Sequence, residues 1–260
     1  RLLPQIVYYV SAYCDLLNAG TIEAGTRVNF CVPTGNFGNI LSGFYAKRMG
    51  VPIGRLICAS NENNVLTDFI KTGTYDRNRP FYQTASPSMD ILISSNLERL
   101  LSLLSGSDEE VRGYMRQLSE TGKYTVSDRV LRGDASRAEV TFTDAQGAQT
   151  IGKTFRENHY LLDTHTAVAC TVLDAYRSGT GDQTLTVVES TASPFKFCAS
   201  VLDALGVTEH APGTGVLGQL TAETGRPAPK PLASLAGKAV RFDQVTDRGD
   251  MRAVVTEFLR

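Results

Sequence analysis

The sequence predicts an α/β protein whose strands form a parallel sheet, and three observations carry that expectation. Short apolar runs at 28–32, 55–59 ("RLICA") and 184–189 ("TLTVVE") each lead into a turn and then a segment of helical apolar spacing, the alternation of βα units. A chain of 260 residues with 42% hydrophobic content can bury a sizeable core. No internal repeat or low-complexity tract interrupts the alternation.

The elements follow in order. The opening "RLLPQIVYYVSAYCDLLNAG" sets Leu3, Ile6, Val7, Val10, Cys14 and Leu17 on one helical face and stops at Gly20. It is too short and interrupted for a membrane span, and it lacks a signal-peptide cleavage site. With neither Met nor cap before Arg1, it reads as cut from a longer chain. Val28, Phe30 and Val32 read as a buried strand, and Ile40, Leu41, Phe44 and Tyr45 as a helix ending at Gly50. Residues 96–121 are helical in pattern but broken at "SGSDEE", where Ser107 and Glu110 form a capping box for a second helix. Residues 138–147 ("AEVTFTDAQG") alternate and then turn, which predicts a peripheral strand. Residues 211–232, rich in Gly, Pro, Thr and Ala, predict a surface connection, after which "MRAVVTEFL" predicts a final helix.

With a formal charge of −1, the chain has no electrostatic bias toward nucleic acid or membrane. Cys14, Cys31, Cys58, Cys170 and Cys198 lie in apolar contexts without a C-x-x-C pair. That pattern disfavours a disulfide framework or zinc site, predicts core thiols, and suits a reducing compartment such as the cytoplasm.

Four turns carry candidate chemistry. "TGNFGN" joins a strand to a helix, and such a turn aims unpaired N–H groups at one point on the positive end of a helix dipole. It is neither G-x-G-x-x-G nor a nucleoside-triphosphate loop. Gly35 would allow close backbone approach to an anion, Gly38 a positive φ at the helix start, and Asn36 and Asn39 would add side-chain amides. An ordinary tight turn with an Asn cap reads equally well. In "CASNENNVLTDF", Asn61, Glu62, Asn63 and Asn64 lie where open sheets bind ligands, or cap the helix before Val65. In "LLDTHTAVAC", Asp163 or Thr164 as N-cap explains most of the pattern, leaving His165 a structural or a direct role. In "TVVESTASPFKF" a strand runs out into Ser190, Thr191 and Ser193 before Pro194 opens a helix. A hydroxyl there can cap that helix, or bond a neutral heteroaromatic nitrogen that a carboxylate would hold protonated.

Several longer stretches resemble one family. "VPTGNFGNILSGFYAKRMGVPI", "ICASNENNVLTDFIKTGTYDR", "SPSMDILISSNLERLL" and "LLDTHTAVA" are similar, in this order, to the C-terminal portion of threonine synthase. "RLLPQIVYY" at the start, and "PLASLAGKAVRF" followed by "VVTEFL" at the end, extend the resemblance over nearly the whole chain. It implies a three-layer αβα fold with a mostly parallel sheet, the large-domain portion of fold-type-II pyridoxal-phosphate enzymes of the tryptophan-synthase-β-like fold. Residues 1–260 would be the C-terminal part of the cofactor-binding catalytic domain.

The resemblance also assigns roles. Gly35, Asn36, Phe37 and Asn39 would surround the phosphate of pyridoxal 5'-phosphate, with Gly38 supplying backbone geometry, and Thr191 of "TASPFKF" would meet the pyridine nitrogen. Ser193 and Phe195 stand where the family carries His and Ala. The family's Schiff-base lysine lies upstream of the GNFGN loop, and none of Lys47, Lys71, Lys123, Lys153, Lys196, Lys230 or Lys238 sits in a matching motif. The implied reaction converts O-phospho-L-homoserine and water to L-threonine and phosphate, with this chain catalytically incomplete. A related phospholyase, a hydroxyamino-acid dehydratase and a non-catalytic phosphate-binding module are the competing expectations.

Overall fold

The computed structural model describes residues 2–133 and 144–259. Its elements are α1 (Leu3–Asn18), β1 (Val28–Pro33), α2 (Gly38–Arg48), β2 (Ile53–Ala59), α3 (Val65–Thr72), β3 (Thr74–Asp76), α4 (Leu97–Ser105), α5 (Asp108–Thr121), β4 (Lys123–Thr125) and α6 (Asp128–Gly133). They continue with α7 (Asp144–Asn158), α8 (Thr164–Thr180), β5 (Thr186–Val188), α9 (Cys198–Ala204), α10 (Gly215–Thr224), α11 (Lys230–Ala233) and α12 (Met251–Phe258). The chain divides into two compact units, Arg1–His210 and Ala211–Arg260.

The first unit is built on a parallel sheet of order β2-β1-β5. Side chains alternate across it, as strand geometry requires. Phe30, Val32, Leu56 and Cys58 pack on one face with Tyr9 of α1 and Leu41 of α2. Cys31, Ile57 and Ala59 pack on the other with Val168, Val172 and Tyr176 of α8. These are the three αβα layers expected, with all three predicted strands in place. The antiparallel pair β3–β4 was not legible, because three residues are too few to show a period. It is held by aromatic rings, Tyr75 stacking on Tyr124 at 5.4 Å.

Several expectations need correction. Helix α1 turns Tyr9 and Tyr13 inward, while Leu3, Val7 and Val10 are exposed. The Tyr9 ring packs 4.9 Å from Phe30 and its hydroxyl finds partners on α2, so two amphipathic rings outcompete aliphatic residues for the core. Cys14 is therefore exposed and Cys170 half-buried, whereas Cys31, Cys58 and Cys198 are core thiols. Ser107 caps α5 by accepting from the Glu110 N–H at 3.2 Å. The box stays half-formed, because the Glu110 carboxylate instead takes the Tyr114 hydroxyl at 2.6 Å and the Ser127 hydroxyl at 2.8 Å. Of the strand expected at 138–147, residues 144–147 open α7, and the rest lie outside the described residues. The connection at 211–232 contains the ten-residue helix α10, whose Leu220 is buried. The final helix forms as α12. No helix among the described residues is long and apolar enough to cross a membrane.

Candidate functional site

Parallel strands β1 and β5 end side by side, and the TGNFGN loop leaves β1 at that edge to open α2. Positive φ falls at Phe37 (φ 60°), not at Gly38. A left-handed conformation is rare for a bulky residue, and burial of the Phe37 ring in the core holds it there. Gly35 has a different reason from the one expected. A Cβ there would lie 2.6 Å from the Ser88 carbonyl, so its smallness admits the 86–91 segment rather than, by itself, a ligand.

The loop's hydrogen bonds are one-sided. Its carbonyls all find donors: Gly35 O from Ser94 Oγ (2.9 Å), Asn36 O from Asn96 Nδ2 (2.7 Å) and Phe37 O from Leu41 N (3.2 Å). Gly38 O accepts from Ser42 Oγ (3.0 Å) and Asn39 O from Tyr9 Oη (2.9 Å). Asn36 Oδ1 accepts from both N and Oγ of Ser95, and Asn39 Oδ1 from Tyr9 Oη. The N–H groups of Gly35 to Ile40 donate to no acceptor among the described residues. A loop whose acceptors are consumed and whose donors remain is electropositive at the helix N-terminus, which is the local field an anion requires.

Residues Gly35 to Ile40 line an open cleft of about 880 Å³. Thr191, Ser190, Glu189, Lys196 and His165 also line it, so the two turns that sequence reasoning separated by some 150 residues meet at one place. Thr191 is exposed, and its hydroxyl has no partner among the described residues. The cap of the Pro194–Lys196 turn is Ser193, whose Oγ accepts from Phe195 N at 3.3 Å. Thr191 is thus free of the capping duty that was the alternative for it.

His165 is committed elsewhere. Asp163 is the N-cap of α8, accepting from the N–H groups of His165 and Thr166, and its Oδ1 lies 3.1 Å from His165 Nδ1. Burial pushes the Asp163 carboxyl up, but hydrogen bonds from His165 and Thr166 outweigh it and hold the group below its ordinary value. His165 Nε2 accepts from Ser88 N at 3.1 Å, which places the ring proton on Nδ1 and braces the 86–90 turn against Gly35. Asn61 and Asn63 are also bracing residues. Both amides donate to Asp90, which further takes Thr84 N and Oγ1. Asn64 stands at the N-cap of α3 without a side-chain capping bond; its Oδ1 accepts from Arg79.

Two groups of functional residues escaped the sequence reading. Ser94, Ser95 and Asn96 neutralise the loop's acceptors from 59 to 60 residues away, and no local pattern announces that. Glu189 sits in the cleft, its carboxylate hydrogen-bonded to the Asn39 amide and raised by burial above its ordinary value. A carboxylate ending an apolar strand two residues before Thr191 was the signal available.

Residues 166–255 match the family model for the C-terminal domain of threonine synthase. The chain is 44% identical over 212 residues to human threonine synthase-like 1, covering 80% of this chain and 28% of that protein. It is 36% identical over 221 residues to threonine synthase of Saccharomyces cerevisiae, covering 79% of this chain and 42% of the relative. The chain spans less than half the length of these curated relatives. Among solved structures, yeast threonine synthase superposes with a TM-score of 0.81 at 30% identity, over 100% of this chain and 52% of that one. The PLP-bound threonine synthase of Brucella melitensis gives 0.71 at 39% identity, over 87% and 46%. By sequence and by fold alike, the chain belongs to the threonine synthase family and corresponds to a C-terminal portion of its members.

Proposed function

We propose that this chain is the cofactor-cradling portion of a pyridoxal-phosphate lyase that converts O-phospho-L-homoserine and water to L-threonine and phosphate. The observation that carries the reading is the one-sided loop: every carbonyl of Gly35 to Asn39 is satisfied, whereas the N–H groups of Gly35 to Ile40, residues that line the cleft, have no acceptor among the described residues. The residues present therefore fit a phosphate monoester. In this reading Gly35, Asn36, Phe37, Gly38 and Asn39 hold the cofactor phosphate through backbone donors, and Phe37 locks their direction by burial.

When bound, pyridoxal phosphate supplies a conjugated electron sink for carbanionic character at the amino-acid carbons. Thr191 would meet the pyridine nitrogen with a hydroxyl, which leaves that nitrogen neutral where a carboxylate would protonate it. Ser94, Ser95, Asn96 and Tyr9 keep the donors aimed by occupying the opposing acceptors. The amine that moves protons at the substrate would come from a lysine outside this chain's seven. Lys196 is the one lysine in the cleft wall among the described residues, and Lys47 reaches the Gly54 carbonyl.

A second reading within the family, a phospholyase with a different amino-acid product, draws support from "TASPFKF". Ser193 caps a turn where the family carries His, and Phe195 is buried, so the turn that follows Thr191 is built from other side chains than the family's. One experiment tests the cofactor arrangement. Residues 1–260 are incubated with pyridoxal phosphate, reduced with borohydride and mapped by peptide mass spectrometry. Scattered substoichiometric adducts are expected, and labelling of one lysine to completion, Lys196 above all, would overturn the assignment of the amine to another segment. Release of threonine and phosphate by the intact protein separates the two reactions.

A further inference from the structure

The cleft contains a contradiction. A loop organised to receive an anion shares its cavity with a carboxylate, Glu189, and like charges in a partly desolvated site repel. The position is built rather than incidental. Glu189 N donates to Cys31 O at 3.0 Å, so the residue extends β5 at the edge where β1 gives way to the loop. Val187 packs on the α1/α2 side of the sheet and Val188 on the α8 side, and alternation returns Glu189 to the α1/α2 side. There the Asn39 amide is held at both ends, Oδ1 by the Tyr9 hydroxyl at 3.2 Å and the amide group by the Glu189 carboxylate.

We propose that Glu189 couples anion capture to proton uptake: the Gly35–Ile40 loop takes a dianion together with one solvent proton on the Glu189 carboxyl, and grips it less tightly as the pH rises. The inference rests on the phosphate-cradle reading of the loop. The proton balance is simple. Ionised Glu189 and a dianion enter, one proton comes from water, and the product is a bound dianion beside a neutral carboxyl. Protonation removes the repulsion and relaxes the hold on Asn39 Nδ2, which can then turn to the anion.

The surroundings support this direction. Burial already raises the carboxyl, with the Asn39 bond opposing it in part. On α1, Tyr9 is held protonated by burial and contributes no charge, and Asp15 adds a further acid to the wall. From α8 comes His165, whose Nε2 is occupied as an acceptor by Ser88 N. Beyond β5, Lys196 is the single Lys or Arg among the described lining residues, and it is exposed.

Sulfate is the probe, because it remains a dianion across the range where a carboxyl titrates. Calorimetric titration of the 1–260 chain with sulfate, from pH 4 to 8 and in two buffers of different ionisation enthalpy, gives affinity and proton uptake together. For one coupled proton, affinity should fall by up to about tenfold per pH unit above the value of the free carboxyl and level off below it, with uptake approaching one. Glu189→Gln should bind sulfate at high pH as tightly as the parent does at low pH, with a flat profile and no uptake. Glu189→Ala should do likewise if the Gln amide perturbs Asn39, and Asp15→Asn should retain the parental slope. Circular dichroism establishes that each variant is folded. A parental slope and uptake in both folded Glu189 variants would overturn the coupling. Failure of sulfate and of inorganic phosphate to bind any folded variant would overturn the cradle reading and the coupling with it.

Discussion

Thr191 and Glu189 stand two residues apart at the end of one strand and illustrate opposite uses of a polar side chain. Thr191 is exposed to the cleft without a partner among the described residues, so its hydroxyl is available to a ligand. In the intact enzyme Thr191→Ser should keep most of the turnover. Thr191→Val, which preserves shape and removes the hydroxyl, should lower turnover and shift the cofactor absorbance with little change in melting temperature. Equal melting and turnover losses in Thr191→Val would return the residue to a structural role. Glu189 bears on stability through linkage. Its folded-state value is raised, so its favourable contribution is complete below the ordinary glutamate value of about 4.3 and is lost as pH rises through the raised value. Urea denaturation midpoints of the parent should therefore fall relative to Glu189→Gln over that window, and parallel curves would contradict it.

At the level of elements, the cleft owes its shape to close packing behind the loop. Helix α2 lies against α1 through Gly43, where a Cβ would approach the Tyr9 ring to 2.6 Å and Leu56 Cδ2 to 2.8 Å. Gly43→Ala should consequently destabilise the fold by about 1–3 kcal/mol, the range of overpacked cores, despite the better helix propensity of alanine. Because Tyr9 also holds Asn39, the same variant should weaken sulfate binding, measured beside its denaturation midpoint. A more stable Gly43→Ala with unchanged binding would show that α1 does not position the loop. The 86–90 turn is a second support, held by His165, Asn61 and Asn63 and seated against Gly35. Helical periodicity located α1 and α2 and the core-facing side of α2, whose Ile40 and Leu41 are buried, but misjudged the facing side of α1. The buried residues of α1 are tyrosines, which a count of aliphatic positions passes over, although Ile6 and Leu17 of the expected face do pack, partly buried, against the core.

For the whole molecule, cysteine chemistry reports on the fold. No disulfide joins the five cysteines, and only Cys14 is exposed. Burial pushes the Cys170 thiol up to about 11, with Asp174 and Asp163 adding to the shift, and burial also raises Cys31 and Cys198. Since the thiolate is the reactive form, a native sample at neutral pH should show one fast thiol per chain toward a maleimide, mapped to Cys14. The other four should appear only with unfolding. Fast labelling of Cys31 or Cys58 would be incompatible with the layered packing described.

By itself the sequence determined the α/β class, the three parallel strands, the strand–GNFGN–helix turn and the family, because each is written in contiguous residues as period, turn chemistry or motif. It also placed Thr191 at the end of a strand. Tertiary structure alone decided that the GNFGN and STAS turns share one cleft, since β5 pairs with β1 across more than 150 residues of chain. It alone revealed that Ser94, Ser95, Asn96 and Tyr9 consume the loop's acceptors, that Gly35 and Gly43 yield space to other protein atoms, and that positive φ falls on Phe37. The physical reason is common to all of these. Hydrogen-bond satisfaction and close packing are properties of groups brought together by the fold, and no local pattern in a chain records who the partner is.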